Sequence, residues 1–222
     1  MRYQAALRPE RSARNELGKS YHPRVAQTEL LLASQNPGKL AEMRQLVLGL
    51  SLRVVGPRDV GIIESPAETG TTFLENARLK ARYYSERSGL LTAADDSGLS
   101  VAALGGEPGL YSSRFGGEGA SDADRNRFLL EKLRGMPREK RGARFTSAVA
   151  LARDGVIVFE AEESVDGFIA LAARGPGGFG YDPLFFYPPF GKTFGEVAGV
   201  EKDRVSHRGK SFARLREFLA TL

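Results

Sequence analysis

The apolar positions of the chain follow two periods. Leu30, Leu31, Leu32 and Ala33 form a short continuous run, as a buried strand does. The polar stretch Ser34-Gln35-Asn36-Pro37-Gly38-Lys39 interrupts it, and Leu40, Met43, Leu46, Val47 and Leu50 then recur at helical spacing. Asn36 can cap that helix with Pro37 in its first position, so the pattern predicts strand, turn, helix. A second strand is expected through Leu52, Val54 and Val55. Thr72 and Glu75 fit a capping box opening a helix to about Ser88, with Leu74, Ala77, Ala81 and Tyr84 on one face. Leu90 to Ala94 reads as another buried strand, ending at Asp95-Asp96-Ser97-Gly98.

The second half changes character. Ser121 and Asp124 open a helix carrying Phe128, Leu129 and Leu133. Phe145–Arg153 and Val156–Phe159 flank Asp154-Gly155, a dipeptide that favours a two-residue hairpin turn. A loop rich in glycine, proline and aromatics follows from Arg174 to Phe190, and the last helix holds Phe212, Leu215, Phe218, Leu219 and Leu222. Strand–helix alternation followed by a hairpin predicts an α/β fold: a long mixed central sheet flanked by helices, in two lobes with an active-site cleft between them.

Composition narrows the chemistry. The chain of 222 residues has no cysteine, which excludes disulfides, zinc ribbons and thiol catalysis. Only His22 and His207 are histidines, so a metal here must be a hard ion held by oxygen. The net charge of +5 invites a nucleic-acid reading until it is located. Before Glu29 stand Arg2, Arg8, Arg11, Arg14, Lys19 and Arg24 against Glu10 and Glu16, a net of +4, which leaves the remainder near neutral. Residues 1–28 are therefore expected to be a disordered or non-native arm, and residues 29–222 the functional domain. The arm lacks the apolar core of a secretory signal, and no stretch is long enough to span a membrane. A cytoplasmic protein is the expectation.

Several segments can carry chemistry. The turn Ser34, Gln35, Asn36, Pro37, Gly38, Lys39 enters a helix N-terminus, where free N–H groups and the dipole suit phosphate oxygens. Lys39 is out of place there unless an anion offsets it; a plain capped helix with a solvated lysine is the other reading. Asp95 and Asp96 repel one another unless something positive is near, and an extended chain sends them to opposite sides. A cation such as Mg²⁺ would suit the cleft-facing one, against the alternative of an ordinary Asp-Gly turn. Glu68 and Glu75 are further candidate acids, and Lys80 either reaches a phosphate or lies along the surface. In Gly175–Pro183, four glycines frame Phe179, Tyr181 and Asp182, offering close backbone approach and an aromatic face for a base. Lys202, Ser206, His207, Arg208 and Lys210 cluster just before the last helix, either as donors to phosphate or keto oxygens or as a solvated helix start.

Taken together, the segments SQNPGK (34–39), ETGTTFLENARLKA (68–81), ADDSGL (94–99), GGFGYDPLF (177–185) and SHRGK (206–210) resemble the inosine/xanthosine triphosphate pyrophosphatases, in family order and across residues 29–222. The resemblance implies Mg²⁺-dependent hydrolysis of ITP, dITP or XTP to the monophosphate and pyrophosphate by a homodimer, without a nucleic-acid or membrane partner. It implies that residues 34–39 and Lys80 hold the triphosphate. Asp96 becomes the proton acceptor and a metal ligand, with Ser97 touching substrate. Phe179, Gly180, Tyr181 and Asp182 form the base and sugar pocket, with Lys202, His207 and Arg208 as the remaining contacts. Arg208 or a nearby backbone N–H would read the 6-keto oxygen. Many relatives have two consecutive acids before Thr-Gly, where this chain has Ala67-Glu68, so either Glu68 substitutes as the second metal ligand or water fills that coordination position. Two other readings stand beside this one. A Maf-type pyrophosphatase for modified or pyrimidine nucleotides would begin with a loop like S-x-S-P-R-R, unlike SQNPGK. A non-catalytic nucleotide- or RNA-binding module would depend on the basic arm.

Overall fold

The structure is a computed structural model that describes residues 28–222. The expected N-terminal arm, apart from Thr28, lies outside the described residues. Seven strands form one sheet in the order β2-β1-β3-β4-β5-β6-β7. They are β1 (Glu29–Leu32), β2 (Arg53–Val55), β3 (Leu91–Val101), β4 (Gly142–Arg153), β5 (Val156–Ile169), β6 (Phe185–Tyr187) and β7 (Lys192–Thr193). β1 runs parallel to both β2 and β3, and the remaining pairs are antiparallel, so the sheet is mixed as the sequence predicts. The helices are α1 (Pro37–Leu46), α2 (Phe73–Ser88), α3 (Asp122–Lys132), α4 (Gly199–Asp203) and α5 (His207–Leu219). Among the described residues no helix is long and apolar enough to cross a membrane.

The alternation of β3 and β4 decides what each face of the sheet meets. Leu30, Leu32, Ala93, Val149 and Leu151 pack on one face with Met43 of α1 and Phe212 and Leu215 of α5. Leu31, Ala94, Ala148 and Ala150 pack on the other with Ala77, Ala81 and Tyr84 of α2. The small alanines let α2 lie close to the sheet, and each fully buried leucine contributes about 1.5–3 kcal/mol. A third cluster, with Leu99, Leu129, Phe145, Tyr181, Phe185 and Phe194, closes the far end under α3. At the β4–β5 hairpin, Asp154 (φ 51°) and Gly155 (φ 74°) both have positive φ, as the twist-matched two-residue turn requires.

Three expectations need correcting. β3 does not end at Asp95-Asp96-Ser97-Gly98, and no turn stands there. It continues to Val101, with Asp95 opposite Val149 and Asp96 opposite Ala148 on β4. Two adjacent acids can lie in a buried central strand because cations from different helices meet them on opposite faces. The capping box of α2 is only half formed. Thr72 accepts from the Glu75 amide at 3.1 Å, but the Glu75 carboxylate turns to the amide and hydroxyl of Thr71, at 2.7 and 2.8 Å. Finally, Ser206 caps α5 by accepting from Gly209 N at 3.0 Å, so His207, Arg208 and Lys210 lie within the helix and not before it. All but Lys210 are thereby buried.

Candidate active site

The turn after β1 is built as its sequence suggests. Asn36 Oδ1 accepts from Lys39 N at 3.1 Å and Asn36 N donates to Ser34 Oγ at 3.3 Å, leaving Pro37 and Gly38 at the start of α1. Gln35 donates to the Ile63 carbonyl at 2.8 Å, tying the turn to the segment before α2. The anion that offsets Lys39 comes from the chain itself: its Nζ lies 3.2 Å from Asp95 Oδ1.

Asp95 points to the face of α1 and α5. Besides Lys39 it meets Nε of Arg208 at 3.1 Å. Burial pushes its carboxyl up, but Lys39 and Arg208 together outweigh burial and hold it far below the usual carboxylate range. Asp96 points to the face of α2. Its Oδ1 accepts from Lys80 Nζ at 2.7 Å and its Oδ2 from Asn76 Nδ2 at 3.3 Å. Here burial wins over Lys80 and Lys39, and the pKa is raised. Neighbouring carboxyls are thus driven in opposite directions, the arrangement that separates a permanent counter-ion from a proton acceptor.

Lys80 also lies 2.7 Å from Glu68 Oε1, so two carboxylates converge on one ammonium. Burial would lower Lys80, but Asp96 and Glu68 overcome it and keep the group charged. Among the described residues no group of three acid or histidine side chains converges as a metal cage. A paired-carboxylate donor set already holding a cation fits Mg²⁺, which takes one or two protein carboxylates and completes its shell with water and phosphate oxygens. Ser34, Gln35, Asn36, Lys39, Glu68, Lys80, Asp95, Asp96 and Ser97 line this polar cavity, of about 200 Å³.

A narrower cavity of about 80 Å³ adjoins it and shares Asn36, Lys39, Ser97 and Ser113. Its walls include Phe145, Phe179, Tyr181 and His207, so it suits a planar ring where its neighbour suits a hydrated polyanion. The Phe179 ring sits against Gly38: a Cβ there would meet its Cγ at 2.8 Å, so residue 38 has to lack one for the turn and the ring to touch. The buried Tyr181 hydroxyl donates to the Ser112 carbonyl at 2.8 Å, and burial pushes its pKa up. Gly180 is held from both sides, donating to Asp122 at 2.6 Å and accepting from Asn126 at 3.0 Å. Asp182 accepts from Phe179 N at 2.9 Å and pairs with Lys202.

The cations expected to touch substrate are engaged within the protein. Lys202 pairs with Asp182 and, at 2.6 Å, with Glu42. Arg208 pairs with Glu42 and Asp95 and donates to Ser97 Oγ at 2.8 Å. His207 is buried and stacks on Phe145 at 4.6 Å; burial followed by the nearby Arg208 holds its pKa well below the usual value, so the ring is neutral. Lys202 and Arg208 line the narrow cavity, and Lys80 the polar one. The expected residues therefore come together as two joined clusters. Glu42, Asn76, Asp122, Arg125 and Asn126 were not foreseen. Glu42 had a signal, being the sole acid of α1 and one turn from Lys39. The others are legible only once distant segments meet.

Known proteins similar to this chain are numerous. The model of the Ham1 family matches residues 30–218. A dITP/XTP pyrophosphatase of Thermus thermophilus is 48% identical over 189 residues, covering 85% of this chain and 90% of its own. One of Haemophilus influenzae is 45% identical over 195 residues, covering 86% of this chain and 98% of its own. Among solved structures, a HAM1 protein from Coxiella burnetii superposes with a TM-score of 0.78 at 39% identity, covering 88% of this chain and all of its own. A nucleoside-triphosphatase / dITP/XTP pyrophosphatase from Mycobacterium abscessus does so with a TM-score of 0.66 at 42% identity, over 85% of this chain and 98% of its own. With the sheet, the paired clusters and these likenesses in agreement, the chain belongs to the Ham1 family.

Proposed function

We propose that the chain hydrolyses deaminated purine nucleoside triphosphates, ITP, dITP and XTP, to the monophosphate and pyrophosphate with Mg²⁺ as cofactor. The observation that carries this reading is the joining of a polar, lysine- and carboxylate-lined cavity to an aromatic slot through Asn36, Lys39, Ser97 and Ser113. Such a pair spans a nucleotide with its α-phosphate at the junction.

Within that frame each residue has a task. The N–H group of Gly38 and the Lys39 ammonium receive phosphate oxygens at the positive end of α1. Asp96 and Glu68 would hold Mg²⁺, which would supply charge neutralisation on the polyphosphate. Asp96 takes a proton from the attacking water, and its raised pKa suits a carboxylate for that task. Asn76 and Lys80 fix its orientation. Phe179 stacks on the base, with Gly180, Tyr181 and Asp182 fixing its loop. Arg208, immobilised by Glu42, Asp95 and Ser97, offers donors only. A 6-keto oxygen accepts from it, whereas the amino group of adenine would face another donor. Excluding guanine while accepting xanthine would need a donor at the 2-position, which a 2-keto oxygen satisfies and a 2-amino group does not. We further propose a homodimer in the cytoplasm as the working form, which a solution mass of two chains would support.

The deciding experiment is a pyrophosphate-release panel with Mg²⁺. Rapid release from dITP and XTP, slow release from dATP and dGTP, and loss of activity with chelator are expected. UTP, TTP and methylated GTP should be poor substrates, and preference for them would favour a Maf-type enzyme. Equal turnover of dGTP and dITP would contradict the proposal.

Gly38 provides a separate check on the base slot. In Gly38→Ala the new Cβ must displace Phe179 from 2.8 Å. Stacking on an aromatic ring contributes about 1–3 kcal/mol per base, so KM for dITP should rise about tenfold while kcat changes less. An unchanged KM would show that Phe179 does not carry the base.

A further inference from the structure

The polar cavity has a charge deficit that its own lining does not meet. Lys39 and Lys80 face Glu68, Asp95 and Asp96, and both ammoniums are already paired with those carboxylates. A triphosphate entering this space brings several more negative charges. One divalent cation offsets part of them, and the pyrophosphate end, which departs with the most charge, needs a donor of its own.

The chain places one such donor at the cavity's edge. After the 3₁₀ turn Gly109–Tyr111, Ser112 locks the backbone by accepting from Leu99 N at 2.9 Å and donating to the Gly109 carbonyl at 2.6 Å. Ser113, next in sequence, lines both cavities. Arg114 follows, and its guanidinium comes to 3.5 Å from Oε2 of Glu68, the carboxylate that shares Lys80 with Asp96. Its side chain is half exposed and, among the described residues, its guanidinium makes no hydrogen bond. Arg125 and Arg208, at the narrow cavity, are by contrast committed to carboxylates, carbonyls or a hydroxyl. Arg114 thus combines an anchored backbone, a position beside the cavity and a planar fork of donors held only by the Glu68 ion pair and by the Tyr111 ring 5.8 Å away.

We propose that Arg114 binds the pyrophosphate half of the substrate and stabilises it as the leaving group, a role that rests on the pyrophosphatase reading above. In the step it serves, the water oxygen bonds to the α-phosphorus and gives its proton to Asp96. The bond from that phosphorus to the α–β bridging oxygen breaks, and its electron pair leaves with pyrophosphate. The guanidinium meets β- and γ-phosphate oxygens in the bidentate geometry that an ammonium cannot reproduce. Glu68 holds the fork near its target until the more highly charged phosphates draw it over.

The two products separate this role from a structural one. Arg114→Ala and Arg114→Lys would be compared with the unaltered enzyme for dITP turnover and for inhibition by pyrophosphate and by IMP. Arg114→Ala should lower kcat by about tenfold or more and weaken pyrophosphate inhibition by a similar factor, while IMP inhibition and thermal unfolding stay unchanged. Arg114→Lys should recover part of both losses. Unchanged pyrophosphate inhibition, or a parallel loss for both products, would overturn the proposal. If the unaltered enzyme releases no pyrophosphate from purine triphosphates, the activity itself has failed. Direct calorimetric binding of pyrophosphate to the two variants still tests Arg114 in that case.

Discussion

Asp96→Asn should bind dITP and fold, yet lose roughly two to four orders of magnitude in kcat. The amide keeps the shape of the side chain and leaves an oxygen to accept from Lys80, now 2.7 Å away, but it cannot take a proton from water. One of the two carboxylates proposed for Mg²⁺ is lost as well; raised Mg²⁺ should restore only that part of the drop and leave the part due to the missing proton acceptor. Asp95→Asn is the informative control. Asp95 is wholly buried between Lys39 and Arg208, and its substitution removes a counter-ion from two cations. Its main effect should be on unfolding, with turnover per folded molecule falling less than in Asp96→Asn. Single-turnover rates with dITP, set beside thermal melts of both variants, distinguish the cases. Retained turnover in Asp96→Asn would remove it from the proton-accepting role, and equal turnover losses in the two variants would make the acids one electrostatic unit.

The difference between these neighbouring acids marks where local pattern stops being informative. Alternation in an extended chain already sends Asp95 and Asp96 to opposite faces, and that much was legible. What each meets depends on α1 and α5 covering one face and α2 the other, which is a property of the sheet order. The same limit explains why β3 was expected to stop at Asp95. Without the counter-ions in view, two adjacent acids look like the end of a buried strand, and only Lys39, Arg208 and Lys80 make their burial tolerable. The turn at residues 34–39, the α2 face and the Asp154-Gly155 hairpin were readable because each rests on contacts only a few residues apart. Arg208 and Lys202 were recognised as part of the site, but their bonds to Glu42 were not, since those span more than 150 residues of sequence.

Arg208→Ala should destabilise the fold by about 3–5 kcal/mol, the usual consequence of leaving a buried charge without its partner. Arg208 is almost fully buried and contacts Asp95, Glu42 and Ser97 at once. Truncation strands two carboxylates, and Lys39 and Lys202 each retain only part of the compensation. The effect should depend on pH in a defined direction. In the unaltered protein Asp95 and Glu42 have depressed pKa values, since Lys39 and Arg208 for the first, and Arg208 and Lys202 for the second, outweigh burial. Groups of this kind add stability above their unfolded pKa values of about 4 and lose it as pH falls towards their folded ones. Without Arg208 the folded pKa values rise, so that contribution shrinks. The gap between the two proteins should be widest near neutral pH and should narrow below about pH 4, where the stranded carboxylates protonate. Urea unfolding at both pH values measures it, and a gap independent of pH would assign the loss to packing. Arg208→Lys should recover part of the stability, because an ammonium can serve one carboxylate, but not the dITP-over-dATP preference if donors in a fixed plane read the keto oxygen. Stability would then be regained without specificity, which separates the residue's work in the fold from its proposed work on the base.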